Sequence, residues 1–473
     1  MTDQKAHLLT ARGPDIDWPS LSICVTGAGL AGVSAALHLA RLGATVTVLD
    51  AGTTERQRTA ADRLLDAGVR VLLGPTASAG DALPRRTDLV VTSPGFRPDS
   101  PVLLAAAADG IPVWGDAELA WRFTGDTAWL AVTGTNGKTT TTQMLAAILE
   151  RSGRRSTAAG NIGVPLLDAV LPESSGQAYE VLAVELSSFQ LHWSWSLRPH
   201  AAAVLNVAPD HLDWHGSPAA YAAAKARVWA GPETIAIGNA DDPGSAALLA
   251  KASGVKLSFT LQEPVEGQWG VRSGVLVDGR GQDLLAASDL HAPGPHNIAN
   301  ALAAAALADA YGIETTVIAA ALAAYTPGAH RNETVAEVGG VRYVNDSKAT
   351  NPHAAAASLT AYPMVVWIAG GLNKGLPFDD LVRESAGRLR GAVLIGRCAD
   401  EVAGALARHA PDVPVIRAAG MDTAVREAAG LARPGDTVLL APAAASMDMF
   451  RDYAERGQRF AEAVRTLQEA RGQ

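Results

Sequence analysis

The stretch Ala128-Trp-Leu-Ala-Val-Thr-Gly-Thr-Asn-Gly-Lys-Thr-Thr140 decides the fold of the middle of the chain. Its first five residues form an apolar run typical of a buried parallel strand. The two glycines that follow predict a tight turn, and apolar residues at helical spacing after Thr139 predict a helix. Strand, glycine turn and helix N-terminus together make a cradle of backbone N–H groups for phosphate. Lys138 would then reach the β- and γ-phosphates of a nucleotide, and Thr139 would offer its hydroxyl to Mg²⁺.

The loop departs from the common phosphate-binding pattern G-x-x-x-x-G-K-[ST]. Val132 stands where that pattern has its first glycine, and the loop counted from Gly134 is two residues shorter. An ordinary turn between a strand and a helix, with a surface lysine, is the alternative interpretation. The predicted strand and helix on either side favour the phosphate site.

Length and composition restrict the class of protein. A chain of 473 residues is too long for one simple core, which predicts about two to four domains. With 48% hydrophobic and 18% charged residues, the chain is predicted to be globular rather than disordered. A formal charge of −9 and the lack of a long basic run argue against nucleic-acid binding. No apolar run predicts a signal peptide or a membrane span, and Cys24 and Cys398 are predicted to be buried thiols in a reducing cytoplasm.

The N-terminal third carries a second glycine-rich turn. An apolar strand from Leu21 to Thr26 runs into Gly27-Ala-Gly-Leu-Ala-Gly32, then a helix, then a strand that ends at Asp50. This βαβ unit, with G-x-G-x-x-G and a later acidic residue, is typical of a dinucleotide site. Any pyrophosphate suits the helix N-terminus equally well, so a dinucleotide and another diphosphate both stay open here.

Polar residues follow several apolar runs in the middle of the chain. Asn161 stands in a glycine-rich loop with its side chain free to point at a ligand, and Glu185 ends an apolar strand. Asn206 and His211 follow the strand predicted at residues 201–207. Because ligands gather beyond the carboxyl ends of parallel strands, we expect these side chains to meet the phosphate loop. A strand-end carboxylate there commonly holds the Mg²⁺ of a nucleotide.

The predicted fold class is α/β with three domains. Residues 1–123 form a Rossmann-like domain, and residues 124–327 form a mononucleotide-binding domain around the phosphate loop, in which residues 231–289 are expected to alternate short strands and turns. Residues 328–473 begin with a hairpin that turns at Gly339-Gly340. They continue with a second Rossmann-like parallel sheet whose strand ends bear Lys374 and Ser446.

Several strings, in order along nearly the whole chain, resemble the Mur ligase family, which builds the peptidoglycan stem peptide and also includes folylpolyglutamate synthases. The string Thr133–Thr140 is similar to the family's nucleotide loop. The strings Leu89–Gly95 and Ile111–Glu118 resemble the UDP-sugar-binding domain of the members that add alanine and D-glutamate. The string Asn345-Asp-Ser-Lys-Ala-Thr-Asn-Pro352 resembles the signature of the member that adds D-glutamate.

The resemblance implies roles for individual residues. It implies an ATP site made of Gly134, Thr135, Asn136, Gly137, Lys138, Thr139, Thr140, Asn297, Asn300, Arg331 and Asp346. It implies a UDP-sugar site made of Gly29, Leu30, Asp50, Ser93, Gly95, Asn161 and Ser187. A D-glutamate site would be formed by Thr350, Lys374, Ser446 and Tyr453. The implied catalytic groups are Lys138, His211, Lys225 and Lys348, and the implied metal ligands are Thr139, Glu185, His211 and Lys225 as a carbamate.

The activity that the resemblance implies is ATP-dependent amide formation. D-glutamate would be added to UDP-N-acetylmuramoyl-L-alanine through an acyl phosphate, with two Mg²⁺ ions, by a monomeric cytoplasmic enzyme without nucleic-acid partners. Another Mur-type or folylpolyglutamate-type amide ligase is the first alternative. A dinucleotide redox protein that uses Gly27 to Gly32 for NAD is the second, although it would leave the phosphate loop, Glu185 and His211 unexplained.

Overall fold

The computed structural model describes residues 8–171, 177–291 and 294–472. It contains three sheets with helices between their strands, which confirms the α/β class. The chain divides into two compact units. One holds the first two sheets, and the other holds the third sheet together with residues 285–300. The domain boundaries at 123/124 and 327/328 stay predictions.

The first sheet is fully parallel, with the spatial order β3-β2-β1-β4-β5. Its strands are β1 (Ser22–Thr26), β2 (Thr45–Asp50), β3 (Arg70–Leu73), β4 (Leu89–Thr92) and β5 (Val113–Gly115). The helices of this region are Leu30–Arg41, Glu55–Asp66, Pro101–Ala108 and Asp116–Phe123. Because β2 and β4 both flank β1, the turns after these three strands meet at one edge of the sheet.

The second sheet has nine strands, seven of which are parallel to one another and lie in the order β12-β11-β10-β9-β6-β8-β7. They are β6 (Ala128–Thr133), β7 (Ser156–Gly160), β8 (Val181–Glu185), β9 (Ala201–Val204), β10 (Ile235–Asn239), β11 (Lys256–Phe259) and β12 (Gln268–Arg272). The helices here are Lys138–Arg151, Leu166–Val170, Ser188–His192, Leu212–His215, Pro218–Ala226 and Pro243–Lys251. Strand β6 lies between β8 and β9, so the phosphate loop leaves the sheet between Glu185 and the residues after β9.

Strand β6 shows why an uninterrupted apolar run marks this sheet. Trp129, Leu130, Ala131 and Val132 are all fully buried, because both faces of a parallel sheet are covered.

The strands that follow β12 along the chain are β13 (Val275–Val277) and β14 (Asp283–Ala286), and the helices that follow these are Pro295–Ala310 and Thr315–Ala324. Residues 301–308, within the first of these helices, are also fully buried.

The third sheet has the order β15-β16-β20-β17-β18-β19. Its strands are β15 (Glu333–Val338), β16 (Val341–Asn345), β17 (Val365–Gly370), β18 (Leu389–Ile395), β19 (Val415–Arg417) and β20 (Thr437–Leu440). The predicted hairpin joins β15 and β16, which are antiparallel, while every other pair is parallel. The helices are Pro352–Leu359, Asp379–Ser385, Ala399–His409, Met421–Leu431 and Tyr453–Ala470.

Two expectations for the middle of the chain were wrong. The strand predicted at residues 201–207 ends at Val204, because Asn206 turns its backbone and side chain toward the phosphate loop. The segment 231–289 contains the helix Pro243–Lys251 in addition to strands. Asp242 caps this helix by accepting the N–H of Ser245 at 2.7 Å, which is a start signal that the sequence carries.

Two smaller expectations concern membranes and cysteines. Within the described residues, every helix is too short or too polar to span a bilayer. Cys24 and Cys398 are buried free thiols, as predicted, and burial raises the pKa of both.

Candidate functional site

The phosphate loop is shaped by its two glycines and fastened by Asn206. Gly134 and Gly137 have φ values of +155° and +82°, which favour glycine because it has no Cβ. The helix then begins at Lys138. Asn206 Oδ1 accepts the N–H of Asn136 at 2.8 Å, and its Nδ2 donates to the carbonyl of Asn136 at 3.1 Å. The loop is therefore held in a form that resembles a phosphate cradle.

Two lysines converge on one carbonyl oxygen of this loop. Lys138 Nζ donates to the carbonyls of Gly134 and Thr135, both at 2.9 Å. Lys225 Nζ donates to the same Gly134 oxygen at 2.7 Å and is 1% exposed. Burial, followed by the charge of Lys138, lowers the pKa of Lys225 well below its ordinary value, because a low-dielectric site disfavours the ammonium form. Lys225 is thus a buried amine beside the phosphate loop.

Glu185 supplies a buried carboxylate next to this loop. It pairs in register with Val132, and its side chain is buried. Oε1 accepts from Asn161 Nδ2 at 2.7 Å, while Oε2 is buried without a hydrogen-bond partner. The expectation that the Asn161 side chain is free was wrong, because its Nδ2 donates to Glu185; its place in the UDP-sugar site stays a prediction. An unpartnered buried carboxylate oxygen is the kind of atom that suits a hard cation such as Mg²⁺.

Two other predicted metal ligands, His211 and Thr139, are less buried than Glu185. His211 has φ +53°, its ring packs against Phe189 at 4.7 Å, and its Nε2 lies 3.6 Å from Asp210 Oδ2. Thr139 is half-buried in the first helical turn, and Thr140 is buried. Across residues 8–171, 177–291 and 294–472, no three His, Cys, Asp or Glu side chains form a metal-binding group. The ligand set Thr139, Glu185, His211 and Lys225 therefore stays a prediction.

The N-terminal glycine turn lies among the residues predicted to bind the UDP-sugar. Asp50 Oδ2 accepts the N–H of Ala28 at 2.6 Å, and its Oδ1 accepts the N–H of Gly52 at 2.7 Å. The Ser93 hydroxyl is buried without a partner, and it lies 2.6 Å from where a Cβ on Gly27 would stand. This glycine therefore cannot carry a side chain, and the Ser93 hydroxyl has its hydrogen-bonding capacity unused.

A cleft of about 640 Å³ opens beside this turn. It runs from Gly29 and Leu30 between the helices Leu30–Arg41 and Glu55–Asp66 toward Asp168. Leu30 is 71% exposed at its rim, which suits an apolar contact with a ligand.

The remaining predicted UDP-sugar residues are spread over separate turns. Gly95 is exposed, and Asn161 is exposed at its own loop. Ser187 caps the helix Ser188–His192 in a capping box with Gln190.

Four predicted nucleotide residues lie in the second unit, and three of them are buried. Asn300 Nδ2 donates to Asn297 Oδ1 at 3.2 Å, and both side chains are buried. The Asp346 carboxylate accepts the N–H of Asn332 at 3.3 Å, and burial raises the pKa of Asp346 to about 6. Arg331 is half-buried next to Asn332 in sequence.

Three loops of the third sheet carry the predicted D-glutamate residues. An antiparallel bridge between Leu372 and Ala445 joins the Lys374 loop to the Ser446 loop. The N–H of Ala443 donates to the carbonyl of Ala349 at 2.9 Å, which brings in the Thr350 segment. Lys348 Nζ lies 3.7 Å from the centre of the Tyr453 ring, within cation–π range. Ser446 is buried, Thr350 and Tyr453 are half-buried and Lys374 is exposed.

Sequence reasoning missed two supporting residues, one beside the loops of the third sheet and one beside the phosphate loop. Arg456 is fully buried and donates to the Ser347 hydroxyl, the Ser347 carbonyl and the Ala444 carbonyl. Tyr221 donates to the Thr135 hydroxyl at 3.1 Å and packs its ring 4.4 Å from Lys225 Nζ. An arginine or tyrosine on an amphipathic helix carries no local signal that it faces inward toward a site.

Three family models match the chain in succession. The Mur ligase MurD-like N-terminal domain covers residues 21–115, the Mur ligase middle domain covers residues 132–308, and the Mur ligase glutamate ligase domain covers residues 330–444. The chain is 61% identical to the UDP-N-acetylmuramoylalanine–D-glutamate ligase of Frankia casuarinae over 455 residues, which is 95% of each chain. It is 55% identical to the ligase of the same name from Streptomyces coelicolor, covering 94% of this chain and 98% of that one.

The chain belongs to the Mur ligase family. The three-domain fold class is confirmed, and so is the family predicted from the sequence. Solved Mur ligase structures share this fold. The UDP-N-acetylmuramate-alanine ligase MurC of Thermotoga maritima matches with a TM-score of 0.58 and 20% identity, covering 94% of this chain and all of that one. MurF of Thermotoga maritima, in complex with ADP, matches with a TM-score of 0.56 and 18% identity over the whole of both chains.

Proposed function

We propose that this chain is an ATP-dependent ligase that joins D-glutamate to UDP-N-acetylmuramoyl-L-alanine in peptidoglycan precursor synthesis. The single observation that carries the proposal is the 61% identity to a ligase of that name over 95% of each chain. The lysine-bearing phosphate loop beside a buried carboxylate supports it, because amide synthesis from ATP needs both a phosphate site and charge neutralisation.

The reaction needs ATP because a carboxylate is a poor acyl donor at neutral pH. The alanyl carboxylate would attack the γ-phosphorus, so that an acyl phosphate forms and ADP leaves. The amine of D-glutamate would then attack the acyl carbon, and inorganic phosphate leaves as the amide forms. In these two steps the protein mainly positions the reactants and stabilises charge, which are the dominant contributions in phosphoryl transfer.

Lys138 is proposed to bind the transferring phosphoryl group. Its amine donates to two carbonyls of its own loop, and exchanging these contacts for phosphate oxygens would move a cation onto the developing charge. His211, at the start of the next polar turn, is proposed to help hold the same group. Lys348 is proposed to act on the tetrahedral intermediate from the Asn345–Pro352 string.

Magnesium fits the residues around Glu185. The unpartnered buried oxygen of Glu185 and the hydroxyl of Thr139 are oxygen donors, and Mg²⁺ is commonly held by one or two such groups plus substrate phosphates. When bound, Mg²⁺ neutralises phosphate charge. A second ion and a role for His211 as a ligand belong to the same proposal.

Lys225 is proposed to carry a carbamate. A neutral amine attacks CO₂ and loses a proton to give an anionic carbamate, and the lowered pKa of this buried lysine favours the neutral amine. The product would replace a buried amine with oxygen donors next to Glu185 and Lys138. This supports the assignment of Lys225 as a modified metal ligand.

D-glutamate is proposed to bind to the three joined loops of the third sheet. Its two carboxylates need cations and hydroxyl donors, which Lys374, Thr350 and Ser446 supply. Tyr453 would add its ring beside Lys348. The nucleotide would be held further by Asn297, Asn300, Arg331 and Asp346.

The UDP-sugar is proposed to bind to the N-terminal glycine turn. Support comes from the unpartnered Ser93 hydroxyl, the exposed Leu30 and the adjoining cleft. Asp50, Gly29, Gly95, Asn161 and Ser187 complete the proposed site. We further propose domains at 1–123, 124–327 and 328–473, a monomeric state and a cytoplasmic location, where ATP and UDP-activated precursors are made.

A coupled ADP-release assay tests the proposal. The chain is expected to turn over with ATP, UDP-N-acetylmuramoyl-L-alanine and D-glutamate, and not when L-alanine, L-lysine or L-glutamate replaces D-glutamate. A folate acceptor with L-glutamate is the control for the folylpolyglutamate-type alternative. Turnover with that pair, and none with D-glutamate, would overturn the proposed function.

A further inference from the structure

The string Ile111–Glu118 marks the N-terminal domain in the sequence, yet its two acidic residues have no role in the proposed reaction. Asp116 and Glu118 are both buried in the helix Asp116–Phe123. Each is hydrogen-bonded to the segment that follows Glu185 in the same compact unit. The two acidic residues of the string therefore contact the segment that follows Glu185.

Glu118 binds the C-terminal end of the segment that follows Glu185, at residues 195 and 196. Its Oε2 accepts the N–H groups of Trp195 at 2.9 Å and Ser196 at 3.0 Å, and its Oε1 accepts the Ser196 hydroxyl at 2.6 Å. Arg122 completes the arrangement with a buried ion pair at 2.8 Å. Charged groups are tolerated inside a protein only when they are paired and hydrogen-bonded in this way.

Asp116 acts on the near end of the segment, where Ser187 lies. Gln190 Nε2 donates to Asp116 Oδ2 at 2.8 Å, and Gln190 Oε1 accepts the N–H of Ser187 at 3.0 Å. The N–H of Gln190 donates to the Ser187 hydroxyl oxygen at 3.2 Å, and this hydroxyl donates to Gln190 Oε1 at 3.3 Å. One amide side chain thus connects a carboxylate of the N-terminal domain to a residue of the proposed UDP-sugar site.

The polarity of this amide explains what Asp116 contributes. A glutamine amide has a donor end and an acceptor end, and rotation about its last torsion exchanges them at low cost. Ser187 presents a donor N–H, so Oε1 must face it. A carboxylate at the other end accepts from N–H groups, so Asp116 selects the orientation in which Nε2 faces away from Ser187. Without this acceptor, the buried Nε2 has no partner in that position.

We propose that Asp116 is a positioning residue for UDP-sugar binding, acting through the Gln190 amide on Ser187. The proposal rests on the assignment of Ser187 to the UDP-sugar site. The Gln190 Oε1 and the Gln190 backbone N–H together fix the Ser187 hydroxyl, whose oxygen keeps one lone pair for a ligand. The ligand group that we infer is an N–H or O–H donor of the UDP-sugar.

Asp116→Ala tests the link by removing the acceptor for Gln190. The KM for UDP-N-acetylmuramoyl-L-alanine is expected to rise about fivefold, which is the typical value of one hydrogen bond. The KM values for ATP and D-glutamate should stay the same, and kcat should change little. Isothermal titration with the UDP-sugar alone should give the same loss, independent of whether D-glutamate is the amino acid used.

Two further variants separate positioning from general destabilisation. Asp116→Asn keeps an oxygen acceptor and is expected to restore the wild-type KM; burial already raises the Asp116 pKa to about 6, so the site accepts a neutral group. Ser196→Ala removes one hydrogen bond to Glu118 without touching Ser187. It is expected to lower the melting temperature and leave the KM for the UDP-sugar unchanged. If Asp116→Ala does not fold, Gln190→Met tests the same link from the other end and should raise the same KM.

Ser187→Ala distinguishes this proposal from the proposed function. If Ser187→Ala raises the KM and the double variant with Asp116→Ala raises it no further, the two residues act through one path and the proposal stands. If Ser187→Ala raises the KM and Asp116→Ala does not, the proposal is overturned. If Ser187→Ala has no effect, Ser187 is not part of the site and the proposal is overturned with it, while turnover of the wild-type chain with D-glutamate still decides the proposed function.

Discussion

Two glycine-rich turns in this chain share one local design and differ in charge. Each follows a buried parallel strand, each contains a glycine with positive φ, and each opens a helix, at Leu30 in the first sheet and at Lys138 in the second. In the first turn, the carboxylate of Asp50 occupies the N–H of Ala28. In the second, the Nζ atoms of Lys138 and Lys225 both donate to the carbonyl of Gly134.

The different side chains at the two turns indicate that backbone shape alone does not select the ligand. A helix N-terminus with exposed N–H groups suits any phosphate, and both turns have one. A triphosphate undergoing transfer needs nearby cations, which only the second of these two turns has among its own contacts. A carboxylate at the first turn suits hydroxyl or N–H donors of a nucleoside.

The largest effect is expected for Lys138→Ala, which removes the cation of the second turn. We expect kcat for phosphate release to fall about a thousandfold, because a preorganised charge on the transferring group is lost. Circular dichroism and the melting temperature should show that the fold is retained. Phosphate release near the wild-type rate would mean that the two turns do not differ in the way described.

Lys225→Ala tests the second amine at the same carbonyl. We expect a loss of activity of about a hundredfold or more, with partial rescue by a short-chain acid such as acetate that replaces the carbamate. Lys225→Arg is the matched control, since its long side chain keeps N–H donors but cannot form a carbamate, and it should be inactive as well. Full activity in the alanine variant would exclude both a carbamate and a metal role for this residue.

Lys374→Ala sharpens the comparison by testing a cation outside both turns. We expect the KM for D-glutamate to rise about tenfold, which equals about 1.4 kcal/mol of binding. The KM for ATP should change much less, because the phosphate loop belongs to the other compact unit. Normal D-glutamate binding together with weakened ATP binding would place the amino-acid site elsewhere.

The smallest effect concerns the first turn. UDP or a UDP-sugar should raise the melting temperature by a few degrees and protect the N-terminal residues from hydrogen exchange, because a ligand that binds the native state stabilises it. NAD⁺ at the same concentration is the control and should do neither. Equal protection by NAD⁺ would favour the dinucleotide interpretation of Gly27 to Gly32.

The sequence by itself determined the local structures and the family. Apolar runs followed by glycines predicted both strand–turn–helix units, and the hairpin at Gly339-Gly340 and the helix at Pro352 are where the sequence placed them. Such features depend on residues within about one turn or strand of each other, so spacing along the chain is enough. The same strings carried the resemblance to Mur ligases, which the family models and the relatives confirm.

Only the tertiary structure decided which distant groups meet. Lys225 reaches Gly134 across 91 positions of sequence, and Asn161 is bound to Glu185. Arg456 joins Ser347, which lies 109 positions before it, to the loop of Ala444. No local pattern encodes these partners, because the order of strands in each sheet and the packing of helices on it set which strand ends become neighbours. Burial then changes the chemistry of the groups that meet, as it does for Lys225, since removing a charge from water costs free energy that no spacing rule contains.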